Sequence, residues 1–120
     1  MNLKVIRLDN LVAYEMGPDF VISMIQTYYE EIPRLILAVE EHIDGNRDIF
    51  IRNIHTLKSS AALFKITEID DVLDFWEELP EADFNRDRFV IEFEKSKEIY
   101  AEALNEMKFV LDNPKALKLG

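Results

Sequence analysis

The sequence predicts an all-α protein: an antiparallel up-down-up-down four-helix bundle with a short additional N-terminal helix. Apolar residues recur at helical spacing in four long segments, and no segment shows the apolar-polar alternation that is typical of a strand. The breaks between these segments are short, so consecutive helices should lie antiparallel. The chain has 120 residues, of which 48% are hydrophobic, and this is enough for one core. We therefore predict one domain over residues 1–112 and a C-terminal tail over residues 113–120.

The first predicted helix is short and spans residues 11–16. Asp9 or Asn10 can cap its start, and Gly17 followed by Pro18 ends it. We expect this helix to cover one end of the bundle.

The second predicted helix carries a long apolar stripe. Asp19 is its predicted N-cap. The residues expected to face the core are Val21, Met24, Ile25, Tyr28, Ile32, Leu35, Ile36, Val39 and Ile43. Pro33 lies inside this pattern, where it either kinks the helix or removes a backbone hydrogen bond.

The third predicted helix begins after a tight break at Asp44, Gly45 and Asn46. Glycine takes the left-handed conformation at low cost, and Asn46 is suited to cap the next helix. By the rotation of 100° per residue, one face of that helix is apolar and carries Phe50, Ile54, Leu57, Ala61 and Phe64. The opposite face carries Ile51, Arg52, His55, Lys58, Ser59 and Ala62.

Two further helices are predicted in the C-terminal half of the chain. Thr67 and Asp70 form an approximate capping box for the fourth helix, which ends before Pro80. Its apolar stripe consists of Ile69, Val72, Leu73, Trp76 and Leu79. A polar loop follows up to Asn85, and we expect a frayed tail from Lys115 onward. The stripe of the fifth helix consists of Phe89, Phe93, Ser96, Tyr100, Ala103, Leu104, Met107, Val110 and Leu111.

Composition and charge exclude several classes of function. A net charge of -10 argues against a nucleic-acid partner, because its phosphates would be repelled. The chain has no cysteine, which fits a reducing cytoplasm, and no apolar run long enough to span a membrane. Its three glycines form no Gly-rich loop of the kind that cradles a nucleotide in a kinase. We therefore expect a cytoplasmic protein whose partners are proteins.

A metal centre is not expected. A protein site for a metal such as zinc needs three or four converging ligands. The chain has two histidines and no cysteine, and no acidic residue lies between Ile49 and Thr67 around His55. His42 has no lysine beside it, and we assign it no function.

The candidate functional site is the polar face of the third helix around His55. Lys58 and Ser59 follow three and four positions later, so they are its neighbours on the helix surface. Ala62 leaves the surface beside them nearly flat. A bulky partner can therefore approach the imidazole closely.

The same segment is unusual in its charge. It contains no acid although the chain holds 24 acidic residues, while Arg52, Lys58 and Lys65 lie within it and Arg47 lies just before it. We interpret this as a local positive patch, which suits a small anion such as phosphate.

The segment resembles the acceptor motif of the histidine-containing phosphotransfer (HPt) domains, which runs His-x-Leu-Lys-Gly-Ser/Ala. His55, Leu57, Lys58 and Ser60 match it, whereas Ser59 stands in place of the glycine. A lone exposed histidine is more often a solvated surface residue, so its functional interpretation depends on this match.

The resemblance extends over about residues 9–111. Gly45 and Asn46 stand where the family has Gly-Asp before the acceptor helix, and the segment Ile32-Pro33-Arg34-Leu35 resembles a Leu-Pro-x-Leu motif in the preceding helix. Lys65 is a second departure, because it occupies a family glycine near the end of the acceptor helix.

The resemblance implies a phosphoryl carrier of a phosphorelay. His55 would accept a phosphoryl group from the aspartyl phosphate of a response-regulator receiver domain and pass it on, while Lys58 offsets the phosphate charge. The receiver would supply Mg²⁺ and most of the catalysis, so the carrier itself is not an enzyme, has no autokinase activity and needs no cofactor. The expected docking surface for a receiver domain or hybrid sensor kinase consists of Ile51, Arg52, Ser59 and Ala62. We expect a monomer.

Two other functions stay open at this point. One is a degenerate HPt-like module that docks a receiver or a kinase without being phosphorylated, which the changes at Ser59 and Lys65 favour. The other is a plain helical-bundle adaptor that is unrelated to phosphotransfer.

Overall fold

The computed structural model describes residues 3–12 and 17–117, and all regular structure in these two ranges is helical. The five α-helices are α1 (Asp9–Val12), α2 (Pro18–Glu41), α3 (Arg47–Leu63), α4 (Thr67–Glu78) and α5 (Arg86–Asp112). Short 3-10 turns follow α4 and α5, at Glu81–Asp83 and Pro114–Ala116. None of the helices in these ranges combines the length and the apolar composition that a membrane crossing requires. The prediction of an all-α protein is confirmed.

The four long helices form a helical bundle around one core. α2 packs against α3 and α5, and α4 packs against the same two helices. The buried apolar side chains of these helices are Val21, Ile25, Ile32, Val39, Phe50, Ile54, Leu57, Ala61, Ile69, Leu73, Trp76, Phe89, Phe93, Tyr100, Ala103, Met107 and Val110. All of them belong to the apolar stripes that the sequence predicts. The remaining apolar stripe residues of α2, α4 and α5 are half-buried against this core, and Ser96 is buried.

The connection between α4 and α5 is anchored by an aromatic side chain. Phe84, which the sequence places in a polar loop, packs edge-to-face on Phe50 and on Trp76, with ring centroids 5.6 Å apart in both pairs. Phe89 lies 5.8 Å from the same ring. Because such aromatic contacts add to the stability gained from burial, this connection is fixed to the core.

The start of α3 agrees with the sequence prediction. The side chain of Asn46 accepts a hydrogen bond from the backbone N–H of Ile49 at 3.1 Å, as an N-cap does. The preceding turn does not use Gly45 as predicted. Gly17, and not Gly45, has a positive φ, and the N–H of Gly45 instead closes an ordinary turn onto the carbonyl of His42 at 3.1 Å.

The predicted caps of α2 and α4 are wrong. α2 begins at Pro18 with Gly17 as its N-cap, so Asp19 lies within the first turn. Proline suits the first helical position, because its φ is already helical and its missing N–H is not needed there. Thr67 is the first residue of α4 and not its cap, because the N-cap is the buried Ile66.

α3 ends in a Schellman motif. The N–H of Ile66 donates to the carbonyl of Ala61 at 2.8 Å, and the N–H of Lys65 donates to the carbonyl of Ala62 at 3.2 Å. Lys65 has a φ of 53°, in the left-handed region that favours glycine. A non-glycine residue pays roughly 1 kcal/mol for this conformation. The position where the resemblance expects glycine therefore has a backbone that suits glycine.

The segment before α1, residues 3–8, forms an N-terminal arm along the bundle. The carboxylate of Glu106 on α5 accepts hydrogen bonds from the N–H groups of Lys4, Val5 and Ile6 at 2.8–3.0 Å. Ile6 is buried in the core. The predicted first helix corresponds to α1 in its first residues, and its remaining residues, 13–16, lie outside the described part of the chain.

The other end of the described chain also packs on the core. Leu117 is only 9% exposed and belongs to the apolar core, although the sequence predicts a frayed tail from Lys115 onward. Its N–H donates to the carbonyl of Pro114 at 3.2 Å. An apolar side chain at the end of a polar tail gives no periodic signal, so the sequence pattern does not reveal this contact.

Candidate functional site

His55 lies on the solvent-facing side of α3. Its side chain is 62% exposed, whereas Ile54 and Leu57 on either side of it are fully buried. The predicted apolar face of this helix is confirmed, since its residues are buried, whereas Ile51 and Lys58 on the predicted opposite face are half-buried.

Glu77 of α4 holds one nitrogen of the imidazole. Nδ1 of His55 lies 2.5 Å from Oε1 of Glu77, whose side chain is only 15% exposed. A carboxylate can only accept a hydrogen bond, so the shared proton belongs to Nδ1. In the neutral ring, Nε2 then carries the free lone pair and is the nitrogen open to a partner.

Lys58, on α3, is bound to two carboxylates of α4. Its Nζ lies 2.7 Å from Oε2 of Glu77 and 2.9 Å from Oδ1 of Asp74. The ion pair with Glu77, followed by the hydrogen bond to Asp74, raises the pKa of Lys58. The ammonium is therefore charged at neutral pH and already has two anionic partners.

Glu77 bridges His55 and Lys58, one oxygen to each. Burial by itself would raise the pKa of Glu77, but the ion pair with Lys58 and the hydrogen bond with His55 outweigh it and hold this pKa below its ordinary value. Glu77 is therefore ionised at neutral pH. The three side chains form one linked group across α3 and α4.

The positive patch expected around His55 is not present in three dimensions. The carboxylates of Asp74, Glu77 and Glu78, all on α4, approach within 4.8 Å of one another beside Lys58. The segment of α3 contains no acidic residue, but α4, which packs against it, places three carboxylates beside Lys58. We assign no metal here, because Lys58 already binds two of the three carboxylates.

Of the other three basic residues of the predicted patch, two contact other groups of the protein and one is exposed without an ion pair in the described ranges. Lys65 lies 3.5 Å from Asp9, and Arg47 donates to the carbonyl of Leu79 at 3.1 Å. Arg52 is exposed and has no ion pair within the described ranges.

Three of the four predicted docking residues are exposed. Arg52, Ser59 and Ala62 face solvent, and the hydroxyl of Ser59 donates to the backbone carbonyl of His55 at 3.1 Å. Ile51 is half-buried and packs against the core, so the expectation that it has no core to fill is wrong. Ile51 thus has a structural role as well as a place beside the site.

An open groove of about 770 Å³ adjoins this face of α3. Its lining is mostly apolar and consists of Asn10, Phe20, Met24, Tyr28, Ser59, Ala62 and Leu63. Two predicted docking residues, Ser59 and Ala62, therefore form one wall of a concave surface between α1, α2 and α3.

A buried polar contact supports the helix turn that carries the site. The hydroxyl of Ser60 donates to the carbonyl of Leu57 at 2.6 Å, and the hydroxyl of Tyr100 donates to the same carbonyl at 3.0 Å. Both side chains are fully buried, and burial raises the pKa of Tyr100. This contact attaches α5 to the turn of α3 that follows His55.

Sequence reasoning missed Glu77 and Asp74. Their only sequence signal is that acids recur on the polar face of the fourth predicted helix. Periodicity shows which face of a helix is polar, but not which of its residues stands level with His55.

Comparisons with known proteins add no relative. No family model matches the chain, and no curated protein and no solved structure matches it either.

Proposed function

We propose that the protein is a phosphoryl carrier of a phosphorelay, with His55 as its acceptor. The observation that carries this proposal is the geometry of His55: an exposed imidazole whose Nδ1 is held by Glu77 and whose Nε2 is open. The match of the segment to the HPt acceptor motif supports the same conclusion.

The transfer step follows from this geometry. The lone pair of Nε2 forms a bond to the phosphorus of an aspartyl phosphate, while the bond from phosphorus to the aspartate oxygen breaks and the carboxylate leaves with its electron pair. The proton on Nδ1 stays in its hydrogen bond to Glu77. The charge of Glu77 offsets the positive charge that the ring gains.

The proposed partner is a receiver domain or a hybrid sensor kinase. The exposed Arg52, Ser59 and Ala62 and the adjoining groove provide a surface against which it can dock. In this role the protein is a cytoplasmic monomer that shuttles the phosphoryl group and has no turnover of its own.

The proposed architecture is the antiparallel up-down-up-down bundle. Contacts between α3 and α4 support it, because they join later residues of one helix to earlier residues of the other: His55 meets Glu77, and Lys58 meets Asp74. The short connections between the long helices are consistent with the same arrangement.

Docking without phosphorylation is the second candidate. The ion pairs of Lys58 favour it, because two carboxylates already neutralise the ammonium that would offset a phosphoryl group. A module of this kind would bind a receiver but leave His55 unmodified.

Phosphotransfer from a purified phosphorylated receiver domain tests the proposal. We expect an acid-labile, alkali-stable label on the protein that is abolished by His55→Gln, with little change in the melting temperature because this side chain is exposed. His42→Gln is the matched control, since His42 is half-buried with its Nδ1 on the carbonyl of Ala38 at 2.8 Å.

The outcomes separate the two candidates. A label that survives His55→Gln rules out His55 as the acceptor. Receiver binding without any label favours the docking module, and the absence of both leaves the plain adaptor.

A further inference from the structure

We propose that Asp74 is a positioning residue that restrains Lys58, so that phosphoryl transfer at His55 requires Lys58 to leave Asp74 for the incoming phosphoryl group. This inference rests on the proposed function and adds a residue that limits its rate.

The two carboxylates that bind Lys58 are not equivalent. Glu77 is 15% exposed and is fixed by its second contact, to His55, whereas Asp74 is 59% exposed. Exposed ion pairs are weak because water competes for both charges. Asp74 is therefore the partner that Lys58 can exchange, while its contact with Glu77 persists.

Lys58 is a neighbour of His55 on the surface of α3. It lies one helical turn beyond His55, and side chains three positions apart are neighbours on a helix surface. Nδ1 faces Glu77, so a phosphoryl group on Nε2 stands on the other side of the ring from that carboxylate. On α4, Glu77 stands level with His55, whereas Asp74 lies one turn away at the level of Lys58, so Lys58 approaches such a group by giving up Asp74 and keeping Glu77.

The resting charge of the site also opposes the phosphoryl group. One ammonium faces two carboxylates, so Lys58 with Asp74 and Glu77 carries a net negative charge. A phosphoryl group brings further negative oxygens, and a released ammonium stabilises them. Removing the competing carboxylate should therefore accelerate transfer, whereas loss of a structural contact would slow it.

Asp71 provides a matched control. It lies one turn before Asp74 on α4, is exposed and has no ion pair within the described ranges. Asp71→Asn changes the net charge of the protein by the same unit as Asp74→Asn. It leaves both contacts of Lys58 in place.

The experiment is a double-mutant cycle on the rate of transfer from a phosphorylated receiver domain. Asp74→Asn should raise the rate about two- to five-fold, the size expected for loss of a weak competing ion pair, while Asp71→Asn leaves it unchanged. In a Lys58→Ala background, Asp74→Asn should have no effect. A rate that is unchanged or lower in Asp74→Asn, or a gain that persists without Lys58, overturns the proposal.

A second donor separates this inference from the proposed function. Phosphoramidate needs no receiver: Nε2 attacks its phosphorus, the P–N bond breaks and ammonia leaves with the electron pair. The same cycle on the rate of His55 labelling by phosphoramidate should again show the gain for Asp74→Asn. If this gain appears while no receiver labels the parent, the restraint stands and the phosphorelay role falls. If receivers label the parent but neither donor shows the gain, the restraint alone falls.

Discussion

Glu77 contacts both His55 and Lys58, the two side chains at the centre of the candidate site. One of its oxygens fixes the proton on Nδ1 of His55, and the other binds the ammonium of Lys58. The Glu77 side chain is only 15% exposed, so its carboxylate is largely shielded from water, whereas the imidazole that it binds is 62% exposed. A neutral replacement loses the ion pair and the strong acceptor at once.

The lowered pKa of Glu77 gives a pH-dependent prediction. Because its folded pKa lies below the ordinary value of 4.5, its contribution to stability is fully present above that value and is lost as the pH falls through the folded pKa. We expect the parent to be more stable than Glu77→Gln at pH 7, with the difference shrinking on acidification below about pH 4.5. Denaturant unfolding of both proteins between pH 3 and pH 7 measures it.

Glu78→Gln is the control for this series. Glu78 is the next residue on α4 and belongs to the same carboxylate cluster, but it is exposed and makes no ion pair within the described ranges. Glu78→Gln removes the same charge without breaking a contact, so it should not lower the stability at pH 7. A difference between the parent and Glu77→Gln that stays constant or grows on acidification would contradict the assigned role of the Glu77 carboxylate.

At the scale of the helix, the backbone is strained at the end of α3, and one substitution can relieve this strain. Lys65 holds the left-handed position of the Schellman motif, and its side chain gains only a contact of 3.5 Å with the exposed Asp9. Lysine there is less suited to the backbone than glycine is.

Lys65→Gly should therefore stabilise the protein by up to about 1 kcal/mol, because glycine takes a positive φ without steric cost and the exposed ion pair contributes little. Denaturant unfolding measures the change. Lys65→Ala is the control, since it removes the same ion pair but keeps the strained φ. If alanine stabilises as much as glycine, the gain comes from the lost charge and not from the backbone.

The helices themselves were predictable from the sequence, because burial alone produces their periodicity. The buried face of α3, from Phe50 to Phe64, follows directly from that pattern. The starts of α2 and α4 were not predictable in this way. Pro18 and the buried Ile66 determine them more strongly than the capping preferences of Asp19 and Thr67.

The site was only half predictable for the same reason. His55 and Lys58 lie on one helix, where spacing gives their relation. Glu77 and Asp74 contact these two residues from α4. Which residues of α4 stand opposite His55 and Lys58 depends on how the two helices pack. No pattern within a single helix contains that information.

At the scale of the whole molecule, the N-terminal arm is held by one carboxylate. Glu106 accepts three backbone N–H groups, from Lys4, Val5 and Ile6. The arm also meets the end of α3, where the N–H of Arg7 donates to the carbonyl of Phe64 at 2.9 Å. The arm thus connects α5 with the helix that carries the site.

Glu106→Ala should destabilise the protein by about 1.5–3 kcal/mol, the range for hydrogen bonds to a charged group. Amide hydrogen exchange should also become faster at Lys4, Val5 and Ile6, because their N–H groups lose their acceptor. Glu102→Ala, one turn earlier on α5 at an exposed position, is the control and should change neither quantity. Unchanged protection of the arm in Glu106→Ala would show that packing alone holds it.

The bridge made by Glu77 has a consequence for protein design. Grafting His55, Leu57, Lys58 and Ser60 onto an unrelated helix would transplant the acceptor motif but not the carboxylate that sets its tautomer and orients its cation. The smallest portable unit is therefore a hairpin of α3 and α4, with their register preserved so that position 77 stands opposite position 55. Because one carboxylate serves both partners, a designer cannot tune the imidazole of His55 and the ammonium of Lys58 independently through that position.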